Sequence, residues 1–295
     1  MTLIAILLTL LLDHYGELYK ELRALRWYDA WLARRQRASQ RTGQRINGAA
    51  GLLLPLGLPL ALALLAQWLL GGLLFGLGGL GLGVAALYLC LGPLAPLREL
   101  DGYLSAQRAG DREAQDDCAR RLLGAQPPVA AAERDRQVLQ RLLVIAGEQI
   151  AAPLFCFVLL GPAGALGWRL ALQLADAPAG SGGAAGGDSR AAAAADLLGI
   201  LGWLPARLLG LAFALTGSFE RTLAELRRGG RDAALRAGNG RLLWRGGLAA
   251  LDIDPRTASP TVDSGTLQAA RRLLRRSLWV CLGLVGLLTL FGWVA

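Results

Sequence analysis

Three charged side chains stand beside or inside apolar stretches, where a charge is costly. Glu148 precedes the charge-free run 149–168, Arg169 follows that run directly, and Arg207 lies inside the apolar stretch 197–215. An ionised side chain at the centre of a bilayer costs ~3 kcal/mol on insertion scales, so such residues usually face a helix bundle or a water-filled cavity. Guanidinium groups bind anions through strong charge-assisted hydrogen bonds. We therefore predict that Glu148, Arg169 and Arg207 form a polar pocket for an anionic ligand.

The path of the segment between the first two residues decides whether they can meet. In one straight helix, Glu148 and Arg169 would stand about 31 Å apart, one at each membrane interface, and both would extend to the headgroups. The sequence Gly-Pro-Ala-Gly at 161–164 breaks the helix. If the chain folds back at this break, both side chains could face a cavity on the cytoplasmic side. For Arg207, which lies close to Trp203, anchoring at the interface is the alternative to ligand binding.

Residues suited to catalysis or metal binding are sparse. His14 is the only histidine, and the four cysteines Cys90, Cys118, Cys156 and Cys281 form no C-x-x-C pair. The sequence also contains no nucleophile elbow, phosphate-binding loop or cluster of carboxylates. We predict no catalytic residue and no metal site, and the sequence identifies no cofactor.

The apolar runs predict an all-α, polytopic integral membrane protein with about four to five transmembrane helices and amphipathic surface helices. The run 46–97 has 52 residues without a charged side chain. As one helix it would measure about 78 Å, more than twice the ~30 Å hydrocarbon core, so it predicts two crossings. The runs 149–168 and 277–295 are each about long enough to cross once. A soluble enzyme, a secreted disulfide scaffold and a disordered tail are excluded.

The organisation expected is a single membrane domain over residues 1–295. Its predicted segments are an N-terminal helix (1–45), a transmembrane hairpin (46–97), a polar helical segment (98–141), a broken membrane helix (142–175), a flexible Ala/Gly/Ser linker (176–195), interfacial and polar helices (196–276) and a C-terminal transmembrane helix (277–295). Within the polar segment, Gly110 and Asp111 predict a helix stop followed by an N-cap.

The net charge of +9 comes from 30 arginines and one lysine against 22 acidic residues. Because the arginines are interleaved with acids and lie mostly outside the apolar runs, they indicate contact with lipid headgroups rather than with nucleic acid. The lipid bilayer is the expected partner, and a protein partner is not identified. The positive-inside rule places the basic segments before residue 46, after 97 and before 277 in the cytoplasm. The side of residues 176–270 stays open, since it depends on the path of 149–175. The composition, rich in Arg, Ala, Gly and Leu, indicates a bacterial source.

Several short motifs occur in a characteristic order along the whole chain. They are a short apolar N-terminal helix ending at Asp13, Pro-Leu-Phe at 153–155, Gly-Ala-Leu-Gly-Trp-Arg at 164–169, Trp-Leu-Pro-Ala-Arg-Leu at 203–208 and Leu-Thr-Leu-Phe-Gly at 288–292. In this order and spacing they resemble the AmpE family, and more distantly the CobD/CbiB membrane synthases of cobalamin assembly.

The polar signature of the synthases is mostly missing. Of their E-N-x-x-D-G stretch only Glu148 is present, at the place of the Asp. Their N-T-L-D is replaced by Leu-Gln-Leu-Ala at 172–175, and the Asn before W-x-P-A-R is Gly202. The carboxylates and amides that could hold Mg²⁺ and a phosphate are therefore mostly lost. This pattern favours the AmpE branch.

The resemblance to AmpE implies a regulatory or signalling protein of the bacterial inner membrane, linked to β-lactamase induction, the response to β-lactams and cell-wall recycling. The expected ligand is a nucleotide or an anionic cell-wall fragment. The chain is expected not to be an enzyme, although residual catalytic activity stays open. The alternative is an adenosylcobinamide-phosphate synthase-like enzyme. A small transporter is a third hypothesis, disfavoured because the sequence has no internal repeat. Ligand identity and oligomeric state are not determined.

Overall fold

A computed structural model describes residues 8–9, 50–71, 77–90, 95–176, 185–228, 235–257 and 260–290. Regular structure within these ranges is entirely helical, which confirms the all-α class for this part of the chain. The helices are α1 Ala50–Gly71, α2 Leu77–Cys90, α3 Ala95–Ala109, α4 Arg112–Leu123, α5 Ala131–Ile145, a π-helical segment Ala146–Ala151, α6 Ala152–Asp176, α7 Ala185–Leu201, α8 Trp203–Thr216, α9 Phe219–Arg228, α10 Leu235–Ala250 and α11 Ser264–Leu290. Most of the predicted N-terminal helix and the last five residues lie outside the described ranges.

The structure divides into two compact units, and the single membrane domain over residues 1–295 stays a prediction. The first unit draws on Met1–Gly92, Pro153–Ile200 and Leu288–Ala295, and the second on Pro93–Ala152 and Leu201–Leu287. The first therefore contains α1, α2, nearly all of α6 and α7. The second contains α3 to α5, the π-helical segment, α8 to α10 and most of α11.

Within the first unit, α6 folds back on itself at Gly161. This glycine has φ 69° and ψ −158°, and Pro162 follows it. A Cβ on Gly164 would lie 2.5 Å from the carbonyl oxygen of Cys156. In a straight helix, residues eight positions apart are separated by about 12 Å, so this contact requires a reversal of the chain. Of the two paths considered for this segment, the structure has the folded-back one, with arms at 152–160 and 162–176.

The second arm of α6 packs against α1 in antiparallel order. A Cβ on Gly161 would lie 2.8 Å from Nε2 of Gln67, and a Cβ on Gly167 would lie 3.1 Å from Cδ2 of Leu60. The later residue of the arm contacts the earlier residue of α1, so the two helices run in opposite directions. Glycine at these two positions leaves room for the ends of the Gln67 and Leu60 side chains.

The second unit is built around a large hydrophobic core. Helices α3, α4, α5, α8, α10 and α11 all contribute side chains, and Tyr103, Leu139, Phe213 and Leu267 are fully buried. The predicted helix stop and N-cap between α3 and α4 are confirmed. Gly110 has φ 73°, and Oδ1 of Asp111 accepts a hydrogen bond from the backbone N–H of Ala114 at 3.0 Å.

The described residues contain fewer candidate membrane spans than the four to five predicted. The stretch Ala131–Asp176 is long and apolar enough to cross, and a second candidate counts if Ala191–Leu201 and Trp203–Thr216 form one broken span. Two shorter apolar helices, Pro55–Leu69 and Gly81–Cys90, accompany them. Parts of the predicted runs, including residues 72–76, 91–94 and 291–295, lie outside the described ranges.

Part of the predicted linker 176–195 is helical. Asp176 is the last residue of α6, and α7 already begins at Ala185. The residues in between, 177–184, lie outside the described ranges. Alanine has the highest helix propensity of any residue, so the alanine run that ends the low-complexity segment is helical despite its composition.

Candidate functional site

Glu148 lies in the π-helical segment that joins α5 to α6. Its Oε1 accepts a hydrogen bond from Nε of Arg236 on α10 at 3.0 Å, and the two side chains are 20% and 24% exposed. A π-helix inside an α-helix commonly marks a functional site, because it displaces side chains from the regular helical positions. The structure therefore places Glu148 in a half-buried ion pair within the second unit.

Close packing of α10 against α5 brings this ion pair together. A Cβ on Gly247 would lie 2.6 Å from Cδ1 of Leu143, and a Cβ on Gly147 would overlap the side chain of Leu243. Because both glycines lack side chains, the two helices can run side by side at short distance. Arg236, near the start of α10, thereby reaches Glu148 near the end of α5.

Arg207 lies in the first turns of α8 and is held by Trp203. Its guanidinium carbon lies 3.8 Å from the centroid of the Trp203 ring, and Nη1 donates to the backbone carbonyl of Trp203 at 3.2 Å. Stacking of this kind contributes about 0.5–1 kcal/mol at an exposed site and fixes the plane of the guanidinium. The motif Trp-Leu-Pro-Ala-Arg thus orients one cation at the beginning of an apolar helix.

Arg169 belongs to the second arm of α6 in the first unit. Its Nε is buried without a hydrogen-bond partner among the described residues, and so is Oε1 of Gln173, one helical turn further along. Residues four apart share a face of a helix. A buried polar atom without a partner costs about 1–3 kcal/mol, and such an atom often marks the place of a bound water or ligand. Oε1 of Gln67, on α1, is a third such atom in this unit.

The predicted site residues are thus distributed between the two units. Glu148 and Arg207 belong to the second unit and Arg169 to the first. A common pocket formed by the three remains a prediction.

Sequence reasoning missed two kinds of residue. Arg236 pairs with Glu148 across 88 positions of the chain, and no local spacing signals such a contact. Gln173, in contrast, could have been found, because it lies four residues after Arg169 on a predicted helix.

A polar network also joins α3, α4 and α5 in the second unit. The hydroxyl of Tyr103 donates to Oδ1 of Asp135, and Arg134 forms an ion pair with Asp116 and donates from Nη2 to Oε1 of Gln115 at 3.4 Å. Burial, together with the hydrogen bond to Asp135, raises the pKa of Tyr103 above its ordinary value. This network connects three helices and is suited to a structural role. Among the residues that the structure describes, no group of three or more His, Cys, Asp or Glu side chains could hold a metal ion.

Comparison with known families gives a match that extends over the whole chain. The model of the family described as "Regulatory signalling modulator protein AmpE" matches residues 1–295. The chain belongs to the AmpE family. No curated protein and no solved structure matches this AmpE-family chain. The predicted resemblance to AmpE is confirmed, whereas the more distant similarity to the CobD/CbiB synthases is not shown.

Three of the five motifs that predicted the AmpE family lie where the chain bends or where a helix begins. The Pro-Leu-Phe motif at 153–155 opens the first arm of α6, and the motif at 164–169 begins beside the reversal at Gly161. The motif at 203–208 forms the start of α8. The motifs therefore specify the shape of the broken helices, and they also carry Arg169 and Arg207.

Proposed function

We propose that this chain is a multi-pass regulator of the bacterial inner membrane that connects β-lactamase induction to cell-wall recycling. The observation that carries the proposal is the AmpE family match over residues 1–295, because members of that family are described as regulatory signalling modulators. A regulator needs no catalytic constellation of its own. It must bind a signal and pass the resulting change to another component.

The surface of α1 supports the membrane location. Four leucines at helical spacing are each more than half exposed, namely Leu58, Leu62, Leu65 and Leu69. They form a continuous stripe, and Trp68 beside them is 78% exposed. Contiguous apolar surface of this kind is rare on proteins that face water and typical of surfaces that contact lipid or another protein.

The arginines beside the broken apolar helices support an anionic signal molecule. Arg207 is pre-oriented by Trp203, and Nε of Arg169 is buried without a protein partner among the described residues. We propose that Glu148, Arg169 and Arg207 take part in the binding of a nucleotide or an anionic cell-wall fragment. Binding at a bend between helices would give the ligand a means of changing the bend, since a ligand shifts a conformational equilibrium only if it prefers one conformation.

A β-lactamase induction assay tests the proposed role. The host is a bacterium with an inducible chromosomal β-lactamase whose own AmpE-family gene has been deleted. We expect the wild-type chain to change the dependence of β-lactamase activity on β-lactam concentration, and Arg169→Ala and Arg207→Ala to abolish that change. Arg227→Ala is the matched control, because this arginine on α9 is exposed.

The amount of each variant in the membrane fraction must be equal for the comparison to hold. If wild-type protein in the membrane leaves the induction curve identical to that of the deletion strain, the regulatory proposal is wrong. If the curve changes but both arginine variants behave like the wild type, the regulatory role stands and the proposed ligand site is wrong.

A further inference from the structure

A basic cavity lies between α3 and α11 in the second unit, outside the site described above. Its volume is about 360 Å³, within the range of pockets that bind small molecules. The lining residues are Asp101, Leu104 and Arg108 from α3, and Gln268, Arg271 and Arg272 from α11. Because Arg108, Gln268 and Arg272 are exposed, the cavity opens to the surface of the protein.

One of the three arginines is fixed by a carboxylate. Nε of Arg271 lies 2.6 Å from Oδ1 of Asp101, and its Nη2 donates to Oδ2 at 2.7 Å. This two-point contact holds the guanidinium plane in place and balances its charge. Arg271 and Asp101 together therefore form a rigid wall of the cavity without net charge.

The other two arginines supply uncompensated positive charge. Nε of Arg108 donates to the carbonyl oxygen of Leu104 at 3.2 Å, which leaves its two Nη groups for another acceptor. Neither Arg108 nor Arg272 makes an ion pair with any carboxylate in the described ranges. Three guanidinium groups against one carboxylate give the lining a formal charge of +2.

We propose that this cavity is a binding site for a phosphate group. Arginine binds phosphate well because its planar fork donates two parallel hydrogen bonds to two phosphate oxygens. A lining charge of +2 matches one phosphate monoester, which carries about −1.5 to −2 at pH 7, or two phosphodiesters. The side-chain amide of Gln268 can donate a further hydrogen bond.

The phosphate can come from a lipid headgroup or from a soluble molecule. The apolar end of α11 starts at Ser277. Arg272 lies five residues before it, which is about 7.5 Å along the helix. If that apolar end enters the membrane, this distance lies within the headgroup layer, which occupies about 5–8 Å on each side of the hydrocarbon core. A lipid with two phosphates, such as cardiolipin, would then reach the cavity from the side. The lipid source depends on the proposed membrane location, whereas binding of soluble phosphate does not.

The test uses the full-length protein in an uncharged detergent, with inorganic phosphate and cardiolipin as separate probes. A ligand that binds the folded state raises the unfolding midpoint in a saturable manner. The eight tryptophans report unfolding by fluorescence. The test variant is Arg108→Gln with Arg272→Gln. The control is Arg275→Gln with Arg276→Gln, which removes the same charge from exposed residues of α11 that do not line the cavity.

We expect a saturable rise in Tm with at least one probe, and a half-saturating concentration at least about tenfold higher in the test variant, because that variant lacks two guanidinium groups that donate charge-assisted hydrogen bonds. The control variant should behave like the wild type. A response to phosphate alone identifies a soluble ligand, and a response to cardiolipin alone identifies a lipid. If neither probe raises Tm, or if both double variants lose the response equally, the cavity is not a phosphate site. Since this assay involves neither β-lactamase nor its induction, its failure is distinct from failure of the proposed regulatory role.

Discussion

The charged residues beside the apolar helices differ in what holds them. Glu148 pairs with Arg236, Arg207 stacks on Trp203, and Nε of Arg169 is buried without a partner among the described residues. The sequence predicted all three as candidates because a charge next to an apolar run is conspicuous. It could not predict their contacts, because an ion pair between residues 88 positions apart depends on how α5 and α10 pack.

At the residue scale, the hydroxyl of Tyr103 should be essential to the polar network of the second unit. Tyr103→Phe leaves the carboxylate of Asp135, which is 5% exposed, without this donor. We expect the free energy of unfolding to fall by about 1–3 kcal/mol, the usual cost of a buried polar group without a partner. Chemical denaturation measures this change. Ser105→Ala on the same helix is the control, because its hydroxyl bonds to the Gly102 carbonyl in an exposed position. Equal stability of both variants would contradict a structural role for the network.

Asp263 should make stability depend on pH at the start of α11. Its carboxylate accepts hydrogen bonds from the Thr266 hydroxyl and backbone N–H, and these bonds lower the pKa of Asp263 below its ordinary value of 3.8. Because the folded-state pKa is depressed, the stabilisation is present above pH 3.8 and is lost as the pH falls through the lower folded-state value. Asp263→Asn should therefore unfold at a lower Tm than the wild type at pH 6. As the pH falls below 3.8 the difference should shrink, and a difference that is constant with pH would contradict this assignment.

At the scale of elements, the sequence predicted the break in α6 but not the direction of the chain after it. The Gly-Pro-Ala-Gly sequence indicates a break, because Pro162 lacks an N–H and glycine can adopt the positive φ that Gly161 has. The direction of the chain after the break depends on packing. It is determined by the approach of Gly164 to Cys156 and of Gly167 to Leu60, which only the three-dimensional structure reveals. The low-complexity segment was predicted to be a linker because it is rich in glycine and serine. The helix that begins within it, at Ala185, was therefore missed.

A methyl group on Gly164 should open the reversal. Its Cβ would meet a backbone oxygen at 2.5 Å, and a backbone atom cannot move aside as a flexible side chain can. Gly164→Ala is expected to lower the stability of the first unit by about 1–3 kcal/mol, the range for overpacking. In Gly81→Ala, on α2, nothing lies within 4 Å of the new Cβ, so stability should stay the same or rise through helix propensity. A thermal unfolding series of the two variants in detergent compares them.

Disulfide cross-linking should detect the antiparallel packing of α1 and the second arm of α6. The test pair is Leu60→Cys with Gly167→Cys, in a variant that lacks the native cysteines. A Cβ on residue 167 would lie 3.7 Å from Cγ of the native Leu60. This proximity fits disulfide geometry, and oxidation should join the pair rapidly. The pair Leu60→Cys and Gly161→Cys is the control, since Gly161 faces Gln67, about 10 Å further along α1. Faster cross-linking of the control pair would contradict the fold-back.

At the scale of the whole molecule, the apolar runs predicted the helical class, and the described residues contain one helix, or two if a bent pair is counted, that is long and apolar enough to cross a membrane. The number of crossings is harder to predict than the class, because it depends on where each apolar run bends, as α6 does at Gly161. The family was predictable because its motifs are local strings of residues. The polar groups of the second unit were not, since Tyr103, Asp135 and Arg134 become a network only when three helices meet.

The functional proposal at this scale is that an anionic ligand acts on the protein through arginines beside the broken helices. Equilibrium binding to the full-length protein in nanodiscs tests it most directly, with Mg-ATP and an anionic cell-wall fragment as separate probes. Arg169→Ala and Arg207→Ala are the test variants, and Arg227→Ala is the control. We predict saturable binding of one probe to the wild type and the control, and its loss in both test variants. No binding at millimolar concentration, or equal binding to all four proteins, would contradict the proposed site.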